Sequence, residues 1–271
     1  MKWYVTGMIA LMLVITGCSS NQQEIGTPAK QEEKQQAETA VNAEELIRSV
    51  KKTFVESHSM KLDTTLLSTV EEGGTSQKEQ IRMVGDLTLS PDEFHASVTA
   101  AEEKIEMYLV NNEAYVRPDG QEIWFKMSDN DTEELSGLGD TKEQTVKFLD
   151  LLLSFKDDLN VTDEGEVYNI SYETTENSDE IEELIISSTE GVFTDGNFAL
   201  NSFRYDLSVR KDSHELTENR AVMDLALKNE SGAVISKLII DTYALFSDFN
   251  KIDKIVVPQE IIDSATEIPS E

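Results

Sequence analysis

Residues 105–116 read IEMYLVNNEAYV, and the spacing within that stretch decides the fold class. Ile105, Met107 and Leu109 recur at every second position, and the same step resumes at Ala114 and Val116. Neighbouring side chains of an extended chain point to opposite faces, so a two-residue period builds one apolar face and leaves the other mostly polar.

The same alternation runs outward in both directions. Upstream it passes through Met60, Leu62 and Leu66, then Ile81, Met83, Leu87 and Leu89, then Phe94, Ala96 and Val98. Downstream it continues through Ile123, Phe125 and Met127, and resumes at Tyr168, Ile170 and Tyr172. Further on come Phe203, Tyr205, Leu207 and Val209, then Met223, Leu225 and Leu227, the long run Val234 to Phe246, and a last segment from Ile252 to Val257 that stops at Pro258. This pattern predicts about eleven strands in one large antiparallel sheet, with a covered concave face and a wet convex one. A sheet this wide tends to curl.

Three segments break the two-residue period. Asn42 followed by Glu45 has the form of a cap with its reciprocal acid, and Leu46, Val50 and Phe54 then recur at helical spacing. Thr141 with Gln144 repeats that form ahead of Val146, Phe148, Leu149, Leu151, Leu152, Leu153 and Phe155, a stripe wide enough to be buried on most sides. Asn177 with Glu180 opens a shorter helix carrying Ile181, Leu184, Ile185 and Ile186. The order is one helix, six strands, a helix, a strand, a helix and four strands, an α+β arrangement in which helices cover the apolar side of the sheet. No internal linker is evident, so residues 41–262 are read as one domain and residues 263–271 as a disordered tail.

The chain has a single cysteine, Cys18, which can form no intramolecular disulfide. Ahead of it, Lys2 gives a positive start, Gly7 to Ile15 an apolar core and Thr16-Gly17 small residues, the make-up of a removable secretion signal over residues 1–17. A membrane span needs about 20 apolar residues, whereas here the run stops at Cys18 and the next residues, SSNQQE, are polar. Residues 18–40, rich in Gln, Glu and Lys, have almost nothing to bury and are expected to form a flexible linker.

Charge narrows the partners. The chain holds 23 Lys and Arg against 53 Asp and Glu; loss of Lys2 with the signal leaves a formal −31. Nucleic acid and an anionic membrane surface are repelled by such a balance. His58, His95 and His214 fall in separate elements, and no Gly-x-Ser-x-Gly elbow occurs, so no catalytic constellation stands out. Nothing calls for a cofactor. Asp129, Asp131 and Glu133 alternate like the start of a calcium loop, with Asp140 at the twelfth place, yet Glu134 stands where the tight turn needs Gly. A solvated acidic loop is the better reading, and no metal site is assigned.

Two sets of phrases carry a resemblance. Ile15-Thr16-Gly17-Cys18 resembles the lipobox of bacterial lipoproteins, which implies that Cys18 receives a diacylglycerol and becomes the first residue of the mature chain; an ordinary signal with an incidental cysteine is the alternative. The element order over roughly residues 41–260, with Ala43 to Ile47, Ser57 to Met60, Glu106 to Val116, Trp124 to Met127 and Tyr243 to Pro258, resembles the superfamily of the LolA and LolB lipoprotein carriers and the LppX and LprG lipoproteins. Within it the chain looks most like a group of Gram-positive lipoproteins. That resemblance implies an open half-barrel closed by helices around an apolar pocket, which spacing alone does not show. The residues placed to line it are Met60, Leu62, Leu66, Ile81, Met83, Leu87, Phe94, Met107, Leu109, Phe125, Met127, Leu149, Leu153, Phe203, Tyr205, Leu207, Met223 and Leu225.

All five methionines behind Cys18, namely Met60, Met83, Met107, Met127 and Met223, fall on the apolar side. Their unbranched, deformable side chains suit a wall that accepts acyl chains, and equally suit gap-filling in a packed core. The expected function is non-enzymatic binding of a lipid or other amphiphile at the outer side of the cell membrane, by a protein held there only by its lipid anchor. The alternative is a packed interaction or sensor module that meets a protein partner. Cys18→Ser is expected to leave the precursor unprocessed or to release the protein from membranes. Fractionation and precursor cleavage that both match wild type would count against lipidation.

Overall fold

The computed structural model describes residues 41–128, 141–188, 193–194, 196–229 and 231–267. Cys18, the linker and the acidic loop at 129–140 lie outside the described residues.

Helix α1 spans Ala43–Glu56 and is followed by β1 Ser59–Glu72, β2 Thr75–Leu89, β3 Asp92–Ala100, β4 Glu103–Val110, β5 Glu113–Pro118 and the short β6 Phe125–Lys126. Then come α2 Thr141–Ser154, a single 3-10 turn at Lys156–Asp158, β7 Asn160–Glu164, β8 Val167–Thr174 and α3 Asp179–Ser188. The chain continues through β9 Phe198–Arg210, β10 Leu216–Lys228, β11 Val234–Ser247, α4 Gln259–Ser264 and β12 Thr266–Glu267. Among the described residues, the twelve strands form one open sheet in the order β12-β6-β5-β4-β3-β2-β1-β11-β10-β9-β8-β7. Neighbours are antiparallel except β12, which runs parallel to β6. The fold is an α+β open half-barrel.

Strand β1 sits at the centre, paired to β2 on one side and β11 on the other. Consecutive strands β6 and β7 lie at opposite ends of the sheet, one next to the edge and one at it. The chain between them has to cross a face, and α2 lies on that path. It crosses the apolar face because its own buried side chains, Phe148, Leu149, Leu151 and Leu152, match that surface. Helix α1 buries Leu46, Ile47, Val50 and Phe54 from the same side. The two helices are antiparallel neighbours, with Lys51 paired to Asp150 and Lys156 to Glu44. These exposed ion pairs fix orientation and add little stability.

Local signals explain the helix starts. The Asn42 side chain accepts a hydrogen bond from the Glu45 N–H at 3.2 Å, as the sequence predicts. At α3 the cap is Ser178, whose hydroxyl accepts from the Ile181 N–H at 3.3 Å, and Asn177 instead donates to Glu182. The expected cap is thus displaced by one residue, because two adjacent residues can both cap. Thr141, the residue expected to cap α2, is the first described residue of that helix.

Three expectations are corrected. Ile252 to Val257 forms no strand; Ile255, Val257 and Ile261 instead pack with Tyr108, Val110, Tyr115 and Trp124 in a second apolar cluster. Tyr108, Val110 and Tyr115 point away from the main core, so the outer face of β4 and β5 is covered and only the rest of that side is wet. The fold also continues past residue 262: α4 runs to Ser264, and the Thr266 N–H donates to the Trp124 carbonyl at 2.9 Å. Strand β7 is an addition, held by its ladder to β8 although Val161 is its only apolar residue.

Leu149 is completely buried at the centre of α2. Leu149→Asp is expected to destabilise the fold by about 3 kcal/mol or more, since it removes a core side chain and places an unpaired carboxylate there. A melting temperature within error of wild type would show that this helix face is exposed.

Candidate functional site

The pairing registers carry the apolar face across the whole sheet in rows. One row runs through Tyr172, Tyr205, Ala221, Thr242, Leu66, Ile81 and Ala100. Another runs through Phe246, Leu62, Gly85, Ala96, Met107, Val116 and Phe125. Sequence-predicted residues Met60, Leu62, Leu66, Ile81, Met83, Leu87, Phe94, Met107, Leu109, Leu149, Phe203, Tyr205, Leu207, Met223 and Leu225 all belong to one buried core cluster. Met127 and Leu153 pack against it while half-buried. Phe125 is half-buried in β6 and does not join the cluster.

The two ends of this core differ. At the end where α1 meets β1, Phe54 stands edge-on to Phe246 at 6.0 Å and to Phe249 at 6.3 Å, forming an aromatic plug. Hydrogen bonds brace it: His58 N–H donates to the Asn250 side chain at 2.8 Å, and Asn250 N–H to the Ser59 carbonyl at 2.9 Å. At the opposite end, where the β1–β2, β3–β4 and β10–β11 turns lie, the apolar face is not fully covered. Val70, Ala100, Ile105 and Leu227 there are only partly buried, as is Ile186 of α3. Val234 at the start of β11 is 63% exposed.

The interior is not wholly apolar. The Tyr205 hydroxyl accepts a hydrogen bond from the Asn219 side-chain amide at 3.0 Å, with both residues buried. Ser68 and Thr242 are also buried on strands of this face. Phe148 of α2 stacks on Tyr205 with 5.1 Å between ring centroids, and Phe155 stacks on Tyr172 at 4.7 Å. Burial pushes the Tyr205 phenol up, against the opposing pull of the Asn219 hydrogen bond, so it stays neutral and a donor-acceptor at ordinary pH. The side-chain oxygen of Gln144, one turn before Phe148, is buried with no hydrogen-bond partner among the described residues. Alternation marks Asn219 and Thr242 as inward only once neighbouring strands are aligned, which is why the sequence reading missed them.

The opposite face of the sheet carries two further features. His95 stacks flat on Tyr108 at 4.0 Å and reaches Glu106 at 3.1 Å, and Glu106 also pairs with Arg117, whose guanidinium lies over Trp124. Partial burial works against the Glu106 charge, but the His95 and Arg117 hydrogen bonds win and hold its carboxyl below the usual range. Further along, the outward residues of β8, β9 and β10 surround a cavity of about 620 Å³. Among the described residues, no group of three or more His, Cys, Asp and Glu is placed to hold a metal ion, and no helix is long and apolar enough to cross a membrane.

These features define a helix-covered open half-barrel with one continuous apolar face, plugged at one end and rimmed at the other. The chain belongs to a family of unknown function, DUF6612, which matches residues 42–266. No curated protein matches the sequence. Among solved structures it is similar to LprF from Mycobacterium bovis, at 12% identity and a TM-score of 0.42, covering 80% of this chain and 96% of that one. It is similar to the lipoprotein LppX of Mycobacterium tuberculosis at 13% identity and a TM-score of 0.41, covering 79% and 98%. A LolA superfamily protein from Nitrosomonas europaea aligns at 9% identity and a TM-score of 0.22, covering 82% and 97%.

Tyr205→Phe leaves the buried Asn219 amide without this acceptor and is expected to cost about 1–2 kcal/mol at neutral pH. A phenol whose folded pKa is raised contributes stability that is lost as pH climbs above its unfolded value near 10. The variant should therefore show a shallower alkaline decline, and denaturant melts at neutral and alkaline pH check both effects.

Proposed function

We propose that this protein is an extracytoplasmic lipoprotein, anchored to the cell membrane through Cys18, that binds a lipid or other amphiphile between its apolar sheet face and the overlying helices. The observation that carries the reading is the asymmetry of the core. A half-buried aliphatic rim of Val70, Ile105, Leu227 and Ile186 opens one end, while the aromatic plug of Phe54, Phe246 and Phe249 closes the other. An acyl chain entering at the rim would meet Met60, Met83, Met107 and Met223 on neighbouring or near-neighbouring strands, all deeply buried and conformationally adaptable. Each methylene it buries contributes about 0.8 kcal/mol. The mechanism is non-enzymatic, and release at a second surface reverses the same step.

One observation favours a second reading. The inward strand residues are almost completely buried, Met60, Phe203 and Leu225 among them, with the helices seated on the sheet. A module that keeps this core closed would serve as an interaction or sensor domain with a protein partner.

Enlarging the inward side chains separates the two. In a binding cavity, Met107→Trp with Met83→Phe fills ligand space, so uptake of a fluorescent fatty-acyl probe weakens while the melting temperature stays nearly unchanged. In a closed core each change costs about 1–3 kcal/mol through strained packing, and neither protein takes up probe. Wild-type protein stripped of lipid that shows no saturable uptake of acyl probes would overturn the binding reading.

A further inference from the structure

The cavity on the outer side of β8, β9 and β10 is separate from the apolar interior and has its own chemistry. Its volume, about 620 Å³, is that of a small-molecule site. From Ser208 to Ser202 along β9 it extends roughly 20 Å, and from β8 to β10 it spans roughly 10 Å. Serine, asparagine and charged side chains line it together with the apolar residues Ile170, Leu207 and Val222.

Its arginines are already matched. Arg204 makes two hydrogen bonds to Asp206, at 2.8 and 3.1 Å, and Arg220 pairs with Asp241 at 2.8 Å. Glu173 and Glu218 in the same lining add two more carboxylates. An anion would therefore meet a net negative surface, and a lone cation finds no cluster of ligands among the described residues. What remains available are groups that both give and accept hydrogen bonds. The Ser208 hydroxyl donates to the Asn169 side chain at 2.7 Å and keeps its own lone pairs, and the Ser171 and Ser202 hydroxyls line the groove at intervals along it. Paired arginine and aspartate present donors and acceptors side by side at fixed angles.

A ligand that matches an elongated lining of hydroxyls, amides and arginine–aspartate pairs is an uncharged chain of hydroxylated rings. We propose that this groove binds a segment of neutral polysaccharide, its hydroxyls on the serine, asparagine and arginine–aspartate groups and a ring face on Val222. The site is independent of amphiphile binding, and holding a glycan would fix a tethered protein within a carbohydrate layer.

The test is calorimetric titration of the full chain, in a sugar-free detergent, with chitotetraose, cellotetraose and maltotetraose. Saturable binding of at least one is expected, unchanged from low to high salt because the ligand is neutral. It should weaken at least about tenfold in Ser171→Leu with Ser208→Leu, which fills the groove without touching the core. Ser202→Leu, whose side chain has no hydrogen-bond partner among the described residues, gives a second block at the far end should the double variant melt early. Absence of binding to all three sugars, binding indifferent to both blocks, or a signal that falls with salt and is displaced by inorganic phosphate would overturn the proposal. Acyl-probe uptake by the same preparation is unaffected in every case, so the two readings fail separately.

Discussion

The fold depends on the crossing of α2 over the apolar face. Because β6 and β7 follow each other in the chain yet lie towards opposite edges of the sheet, the link between them must traverse the inner surface. The stacking of Phe148 on Tyr205 and of Phe155 on Tyr172 pins that link to the β8–β9 half. Aromatic pairs of this kind contribute about 0.5–1.5 kcal/mol beyond the area they bury. Once α2 is seated, α1 can pack beside it, and the inward side chains of the central strands lose contact with water. The β1–β11 ladder then joins the N-terminal and C-terminal halves into one sheet.

The same arrangement sets where the interior can give. The plug end is tied by Phe54, Phe246, Phe249 and the Asn250 hydrogen bonds, so opening it breaks packing and polar contacts together. The rim end has turns, a short helix and half-buried aliphatics, which is where the least apolar area is lost on separation. An amphiphile that covers those aliphatics replaces contact with water rather than contact with protein. That part of its binding free energy is drawn from surface that the folded chain leaves uncovered. The buried Tyr205–Asn219 pair sits deeper, where it keeps a polar contact inside an otherwise apolar wall.

Much of this was legible from residue spacing. Strands such as Ile81–Leu89 and Phe203–Val209 alternate cleanly because one face meets the core and the other meets water, and Leu46, Val50 and Phe54 mark the buried stripe of α1. The reading failed where a different contact replaced that rule. Ile255 and Val257 alternate like a strand, yet their partners are the side chains of Tyr108 and Trp124 on the outer face. The outward Tyr108, Val110 and Tyr115 had announced that cover, since aromatic and aliphatic residues on a supposedly wet face need one. Strand β7 was invisible because backbone pairing to β8, and not side-chain burial, holds it. The methionines were found on the apolar side, but spacing cannot distinguish a wall from a core. The outer groove left no trace in the sequence because Asn169, Ser208 and Arg220 come together only across three strands.

Hydrogen exchange of the full chain, followed by mass spectrometry with and without a bound monoacyl amphiphile, tests the central claim most directly. The account predicts slowed exchange at the rim, in the turn-proximal ends of β1, β4 and β10 and in α3, with the Phe54–Phe246–Phe249 end unchanged. Protection that is absent, or confined to the outer face or the plug end, would contradict it.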